Sequence, residues 1–566
     1  MAGYKIKYFS KSYLFLLIFI SSIFLGMQRN APERGGPTKV YVEHADSTIF
    51  EQNNNPDIHV LMGNVRVRYD STFMFCDSAY LYNEANILEA FGQVRLEQGD
   101  TLFIYGNYLK YEGNQSLAQM RENVRMVSND EVTLFTEFLD YDRNKNIGYY
   151  FNGGMIVDSI NELTSVYGQY SPDTRIAFFK EDVKLVNPQF VLTSDTLEYS
   201  TETKIANILG TAVIVSDSGM IYTDRGWYNT VIEESMLYDR STVVSKDETK
   251  TITADSMFYA KTDGFLEAFG DMVLNDTAKK VIIMGDYGFY DEVANYAFTT
   301  DRAQMIEYSQ TDSLFLHGDT LKMQTVGNDR IIKAYYGVRF FREDLQGVCD
   351  SMKFNTADSL LYLYKNPVLW NSNFQINGDT IRIVFGDSTL NRVDVLNYAF
   401  AIEQKDTTTY YNQIKGRFLY AHFEKNELFR IDVVGATESI YYPIDDADGT
   451  FLGRYKVLGD NMTIWVEERS PAKIKWNPEP TTETLPIPDL NPETKFLSGF
   501  VDYNYLRPKD RYDIFNLVQM KEEDKPAPRR QKGQHVRQNP QKQEASDHNH
   551  PDHDHDHDHD HDHNHD

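Results

Sequence analysis

The densest metal-ligating chemistry lies at the carboxyl end. There His548, His550, His553, His555, His557, His559, His561, His563 and His565 run through an aspartate-rich tail, Asp547 to Asp566. Imidazole beside carboxylate suits zinc, nickel or copper. This reads as weak, multi-site binding of a divalent metal. The plainer alternative is a solvated tail whose charge switches as histidine titrates near ~6.5. The remaining histidines, His44, His59, His317, His422 and His535, keep no ligand spacing.

Carboxylates form a second group. Asp77, Asp195, Asp255, Asp286, Asp319, Asp350, Asp379 and Asp460 recur along the chain. A catalytic pair is singular, so a ladder reads as structural, each carboxylate bonding backbone N–H groups at the head of a strand. The nine-residue calcium repeat, Gly-Gly-x-Gly-x-Asp, is absent. So are a nucleophile motif, a Walker loop and a dinucleotide fingerprint. The expectation is a protein that is not an enzyme and takes no cofactor.

The elements that hold these residues come from a repeat. Gly285-Asp286-Tyr287, Gly318-Asp319-Thr320-Leu321, Gly378-Asp379-Thr380-Ile381 and Gly459-Asp460-Asn461-Met462 are anchors, and looser copies begin at Asp77, Asn107, Glu137, Asp195, Asp224, Asp255, Asp350 and Arg417. A degenerate copy sits near Gln169. Most successive anchors are about thirty residues apart, which signals an array of stacked units. In many units a second signature follows the anchor by roughly half a unit: Gly92-Gln93-Val94-Arg95-Leu96, Asn123-Val124-Arg125-Met126, Asp182-Val183-Lys184-Leu185, Gly270-Asp271-Met272-Val273-Leu274 and Gly337-Val338-Arg339-Phe340.

Between the signatures the period is two. Leu109, Leu139, Leu197 and Met257 stand two places past their anchors, and Tyr111, Tyr141, Tyr199 and Tyr259 four places past. Polar residues such as Lys110, Asp140 and Glu198 separate them. Such alternation marks strands with one buried face, and columns that stay apolar from unit to unit bury one continuous core. Residues 40–466 therefore read as an elongated all-β stack of about thirteen units, each with two to four short strands shared between two sheets. Cys76 and Cys349 each precede an anchor, nine units apart. At ~4.8 Å or more per unit they stand over ~40 Å apart, far beyond the ~7 Å a disulfide allows, so two free thiols are expected.

The chain has 566 residues and a formal net charge of −28, from 56 Lys+Arg against 84 Asp+Glu. That balance argues against nucleic acid, which needs a basic face. Lys5, Lys7 and Lys11 precede an apolar run from Tyr13 to Leu25, so residues 1–30 read as a secretory signal, or as an uncleaved anchor. Residues 467–520 are Pro-rich, and Phe496 to Phe515 read as a terminal cap. Residues 521–566 read as a disordered tail.

The Gly-Asp-Thr-Leu unit, followed by Gly-x-Val-x-Leu, resembles the OstA-like family of periplasmic proteins over about residues 40–465. That group includes the lipopolysaccharide-transport bridge protein and the N-terminal domain of its outer-membrane receptor. The resemblance implies a V-shaped β-jellyroll of two facing sheets with an apolar groove between them. It implies that acyl chains of lipopolysaccharide lie in the groove, that terminal strand edges pair with other transport components, and that the protein works in the periplasm in outer-membrane assembly. On this reading Leu109, Tyr111, Leu139, Tyr141, Leu197, Tyr199, Met257 and Tyr259 line the groove, although plain core packing explains the same columns. The alternatives are an exported β-solenoid scaffold or adhesin with a filled core, and a repeat-built carbohydrate-active enzyme. The last requires paired carboxylates in a cleft that breaks the repeat, and none is found.

Overall fold

The computed structural model describes residues 40–51, 55–308, 312–327, 329–386, 389–405, 409–445, 449–468 and 470–525. The expected signal or anchor over residues 1–30 and the histidine tail lie outside the described residues. Contacts divide the chain into two units, Met1–Val518 and Gln519–Asp566. The described part of the second includes a 3-10 turn, Glu522–Asp524. The first is all-β, with a few short helical turns near its carboxyl end.

Two short strands, Tyr41–His44 and Ser47–Glu51, open the stack by pairing with the first of six long ones. Asn55–Tyr69, Thr72–Tyr82, Ile87–Gln98, Leu102–Glu112, Leu117–Ser128 and Val132–Asp142 pair antiparallel in chain order. Every pairing slips at mid-strand, as between Phe75 and Ser78 or between Phe91 and Val94. The extra residues are left-handed, with φ of 76° at Gly92, 45° at Gln93, 65° at Glu122 and 54° at Asn123. Bulges of this kind bend a strand, so each strand is divided into two arms.

The bulge explains both sequence signatures at once. A Cβ placed on Gly92 would collide with the carboxylate of Asp77, one on Gly270 with Asp255, and one on Gly63 with Asp46. Where glycine is missing, the Asn123 N–H donates to Glu137 at 3.0 Å. The aspartate anchor of one strand thus packs over the glycine of the next, and only glycine accepts both the close approach and the positive φ at little cost.

Elsewhere the bend severs the strand, leaving one short piece in each arm. Between Phe190–Ser200 and Phe265–Asp276 two such paths run side by side. One passes through Ile205–Ile208, Arg225–Asn229, Glu234–Tyr238 and Ser256–Ala260. The other passes through Ala212–Ser216, Gly219–Thr223, Ser241–Ser245 and Lys250–Ala254. Together they close a 10-strand barrel. The expectation of uniformly short strands therefore holds only in part: long bent strands alternate with severed ones.

Alternation sorts the faces. Val65, Met74, Val94, Ile104 and Val124 point inward from the first arm, and Leu61, Ala79, Leu88, Leu109 and Met120 from the second; all are buried. The outer face of the first arm carries directly paired neighbours in the order Arg66, Phe75, Arg95, Tyr105, Arg125 and Phe135. The Arg95 guanidinium stands 4.4 Å from the Phe75 ring, and that of Arg125 4.5 Å from Tyr105. Such pairs stabilise a sheet from its wet side.

At the carboxyl end, Ser470–Asn477 pairs only with Arg454–Glu467 and carries Pro471, as an edge strand can. The chain then turns back as a strap along the outer face of the first arm. Gln413 donates to the Lys495 carbonyl at 2.8 Å and accepts from the Leu497 N–H at 2.8 Å. Gln375 repeats the grip on Val501 at 3.0 Å and Tyr503 at 2.9 Å. Gln346 accepts from Arg507 at 2.8 Å, and the Phe515 ring rests 4.8 Å from His317. Leu497, Tyr503, Leu506 and Ile514 are buried. The segment expected as a cap thus lies along a flank, because a glutamine four places before each of the anchors Asp350, Asp379 and Arg417 offers an amide that pairs with main chain.

Candidate functional site

The two arms part at the bulge line, and their free tips face each other across a seam. What lies between them is the candidate site. In the amino-terminal part the tips meet. Tyr111 reaches across to Tyr69, ring centroids 5.1 Å apart. The Tyr141 hydroxyl donates to Gln98 at 3.0 Å, and Arg143 donates to Thr72 at 2.9 Å. Tyr170 approaches Ser128 at 3.5 Å, and the Tyr228 ring packs at a tilt against Phe190 with centroids 4.6 Å apart.

The tightest of these contacts surrounds Asp158. Its carboxylate accepts from the Tyr199 hydroxyl at 2.6 Å and from Lys204 at 2.9 Å. The backbone N–H groups of Ile160 and Asn161 donate to it at 3.0 and 2.8 Å. Asn161 in turn donates to Tyr199 at 2.7 Å and to Thr230 at 2.9 Å, and accepts from Asn187 at 2.9 Å. Burial alone would raise the Asp158 carboxyl, but these donors outweigh it and hold the group below the usual carboxylate range. Burial, reinforced by the Asp158 charge, lifts the Tyr199 hydroxyl far above its ordinary value. Both groups are therefore fixed in their neutral-pH states, as a structural clasp requires.

Of the residues expected to line a groove, Leu109, Leu139, Leu197, Tyr199 and Met257 are 0% exposed, Tyr141 2% and Tyr111 7%. Tyr259 is half-buried. The structure thus gathers six of them into one interior, filled as far as Tyr228, and places Met257 and Tyr259 in a second, smaller cluster with Leu237 and Ala268. A narrow apolar cavity of about 40 Å³ remains in the first, beside Val67, Met74, Leu88 and Ile104.

Farther along, the seam changes. Tyr259 is half-buried, and the next tyrosine of the column, Tyr290, is 38% exposed. The column continues as Met323 and Phe354, both half-buried. On the facing arm Val243, Ile252, Leu274, Ile283, Met305 and Leu314 are half-buried as well, although they occupy inward positions. In the column itself burial returns at Ile383, Ala421 and Ile464, with 7%, 3% and 5% exposure, while Phe385, Leu390, Ile414 and Phe423 around them stay partly buried. An apolar window thus opens between about Val243 and Leu361.

Sequence reasoning missed Tyr170 and the clasp. The structure puts a bend at Val166, so Tyr170 falls on the tyrosine column, about thirty residues from both Tyr141 and Tyr199. That interval was available in the sequence. Asp158, Asn161 and Lys204 sit at strand tips, where the repeat imposes no pattern, and left no such trace. Cys76 and Cys349 are free and buried. Burial pushes Cys76 up to about 12 and Cys349 higher still, so both stay thiols. Among the described residues no group of three metal-ligating side chains comes together, and no helix is long and apolar enough to cross a membrane.

Comparison with known proteins bears on the same stretch. Residues 37–195 match the OstA-like protein family. This OstA-like section holds most of the long bent strands at the amino end and most of the sealed seam. No curated protein matches the chain. Among solved structures, one similar chain is LptH from Pseudomonas aeruginosa, described as the LptA-homologous periplasmic component of the conserved lipopolysaccharide transport device. It shares 14% identity over 20% of this chain and 79% of its own, with a TM-score of 0.18.

Proposed function

We propose that this chain is an exported, non-enzymatic carrier that shelters the acyl chains of lipopolysaccharide between its two arms on the way to the outer membrane. The observation that carries this reading is the set of inward apolar side chains, Val243, Ile252, Leu274, Ile283, Met323 and Phe354, that stay half-buried beside a core that is itself buried at Met257, Leu316, Ala334 and Val338. An acyl chain in water costs about 25 cal/mol for each Å² of apolar surface, and a trough of such side chains removes that cost without chemistry. The OstA-like section supports the assignment to lipopolysaccharide transport. Periplasmic location, strand-edge pairing with other transport components and a signal or anchor at residues 1–30 belong to the same reading. So does divalent metal on the histidine tail.

The test is site-specific photo-crosslinking in the full chain, with a photoreactive residue at Ile283 or Met323 and dispersed lipopolysaccharide as the ligand. Capture of lipopolysaccharide is expected; absence of capture at every inward position sinks the proposal. A second reading, an exported scaffold or adhesin that moves no lipid, draws on the filled interior from Leu61 to Tyr228. It predicts that blank result.

A further inference from the structure

The tyrosine column divides the interior into two functional lengths. Tyr111, Tyr141, Tyr170, Tyr199 and Tyr228 each reach the opposite arm, and Tyr228 is the last to do so. Past Tyr290 the column offers Met323 and Phe354, side chains with no hydroxyl to bridge the seam. Loss of bridging groups and loss of burial begin at the same place along the stack. The Asp158 clasp also sets a hydrogen-bonded ion pair across the sealed length, and an acyl chain threading past it would have to strip that pair of its partners at high cost.

We infer that the tyrosine column is a latch that shuts the amino-terminal seam, and that ligand reaches the interior sideways, through the window between about Val243 and Leu361. The ligand class, acyl chains, rests on the lipid-carrier reading above; the position of the opening does not. On this view the OstA-like section is a closed stem, and the loading segment follows it in the chain.

The experiment uses single cysteines in a Cys76→Ala, Cys349→Ala background of the full chain. Ile283→Cys, Met305→Cys and Met323→Cys report the window; Leu109→Cys, Leu139→Cys and Leu197→Cys report the stem. Labelling by a water-soluble maleimide dye should be at least about tenfold faster at the window positions, in variants whose circular dichroism matches the parent. Equal rates in both sets overturn the inference. Opening the clasp by Tyr199→Phe with Asp158→Asn should speed labelling at Leu197→Cys and leave Met323→Cys unchanged; no change at Leu197→Cys overturns the latch. Photo-crosslinking to lipopolysaccharide at the same six positions separates the two claims. Unequal labelling without lipid capture upholds the window and removes the lipid reading. Capture with equal labelling in both sets upholds the lipid reading and removes the window.

Discussion

At the residue scale, the clasp around Asp158 gives the sharpest expectations. Tyr199→Phe removes a hydroxyl that donates to Asp158 and accepts from Asn161. It should cost about 1–3 kcal/mol, because a buried carboxylate loses one of its donors; urea unfolding reads this as a lower midpoint. The pH dependence follows from the direction of the Asp158 shift. Its folded carboxyl lies below the usual range, so its stabilisation is fully present above the unfolded value of about 3.9 and is lost as pH falls through the lower folded value. The stability gap between the parent and Asp158→Asn should be flat from pH 6 to 8 and shrink on acidification below about pH 4. A gap that widens in acid would contradict the assignment. By contrast, Leu139→Ala in the sealed interior should cost about 2–5 kcal/mol and Met323→Ala in the window distinctly less, because a site open to water leaves no closed cavity.

At the element scale, the bulge is the unit that repeats. Gly92→Ala should destabilise the chain by about 1–3 kcal/mol, through strain at φ 76° and collision with Asp77. Pairing it with Asp77→Ala should recover part of that loss, because the smaller partner makes room; purely additive melting shifts would count against the packing described. This element also shows how much the sequence disclosed. The period of two and the recurrence of about thirty residues revealed an all-β stack with apolar columns, because burial on one face of a strand leaves no other pattern. The bend itself was hidden, since Gly-Asp-Thr and Gly-x-Val-x-Leu look like two separate turns until the register shows them packed on each other. Tyr111, Tyr141, Tyr199 and Tyr259 were visible as a column, but core, groove and latch all call for an aromatic there. Only the distances to Tyr69, Gln98 and Asp158 separate these roles. Tip residues such as Asn161 and Lys204 carried no signal, because turns vary freely while arms do not.

At the scale of the whole molecule, the strap from Ile487 to Phe515 joins units far apart in sequence. Gln375 and Gln413 hold it by main-chain hydrogen bonds, and it covers an apolar patch that includes Phe400, Ile402 and Tyr411. Ending the chain after Leu485 should expose that patch and cause self-association in light scattering, since large uncovered apolar patches drive association. Gln375→Ala with Gln413→Ala should loosen the strap while leaving the stack intact, visible as faster amide exchange confined to residues 487–515. Uniform exchange across both would show that the strap is no separate cover.

Because the strap follows every strand it touches, its order of arrival matters. A chain threaded out amino end first can lay down each bent strand on its predecessor, yet Phe400 and Tyr411 stay naked until some 85 to 100 further residues have emerged. For that interval the nascent protein presents a sticky flank to its surroundings. A chaperone that masks hydrophobic surface would therefore be needed late in maturation, and any premature stop between Leu485 and Phe496 would yield a product whose stack is complete but whose side is bare.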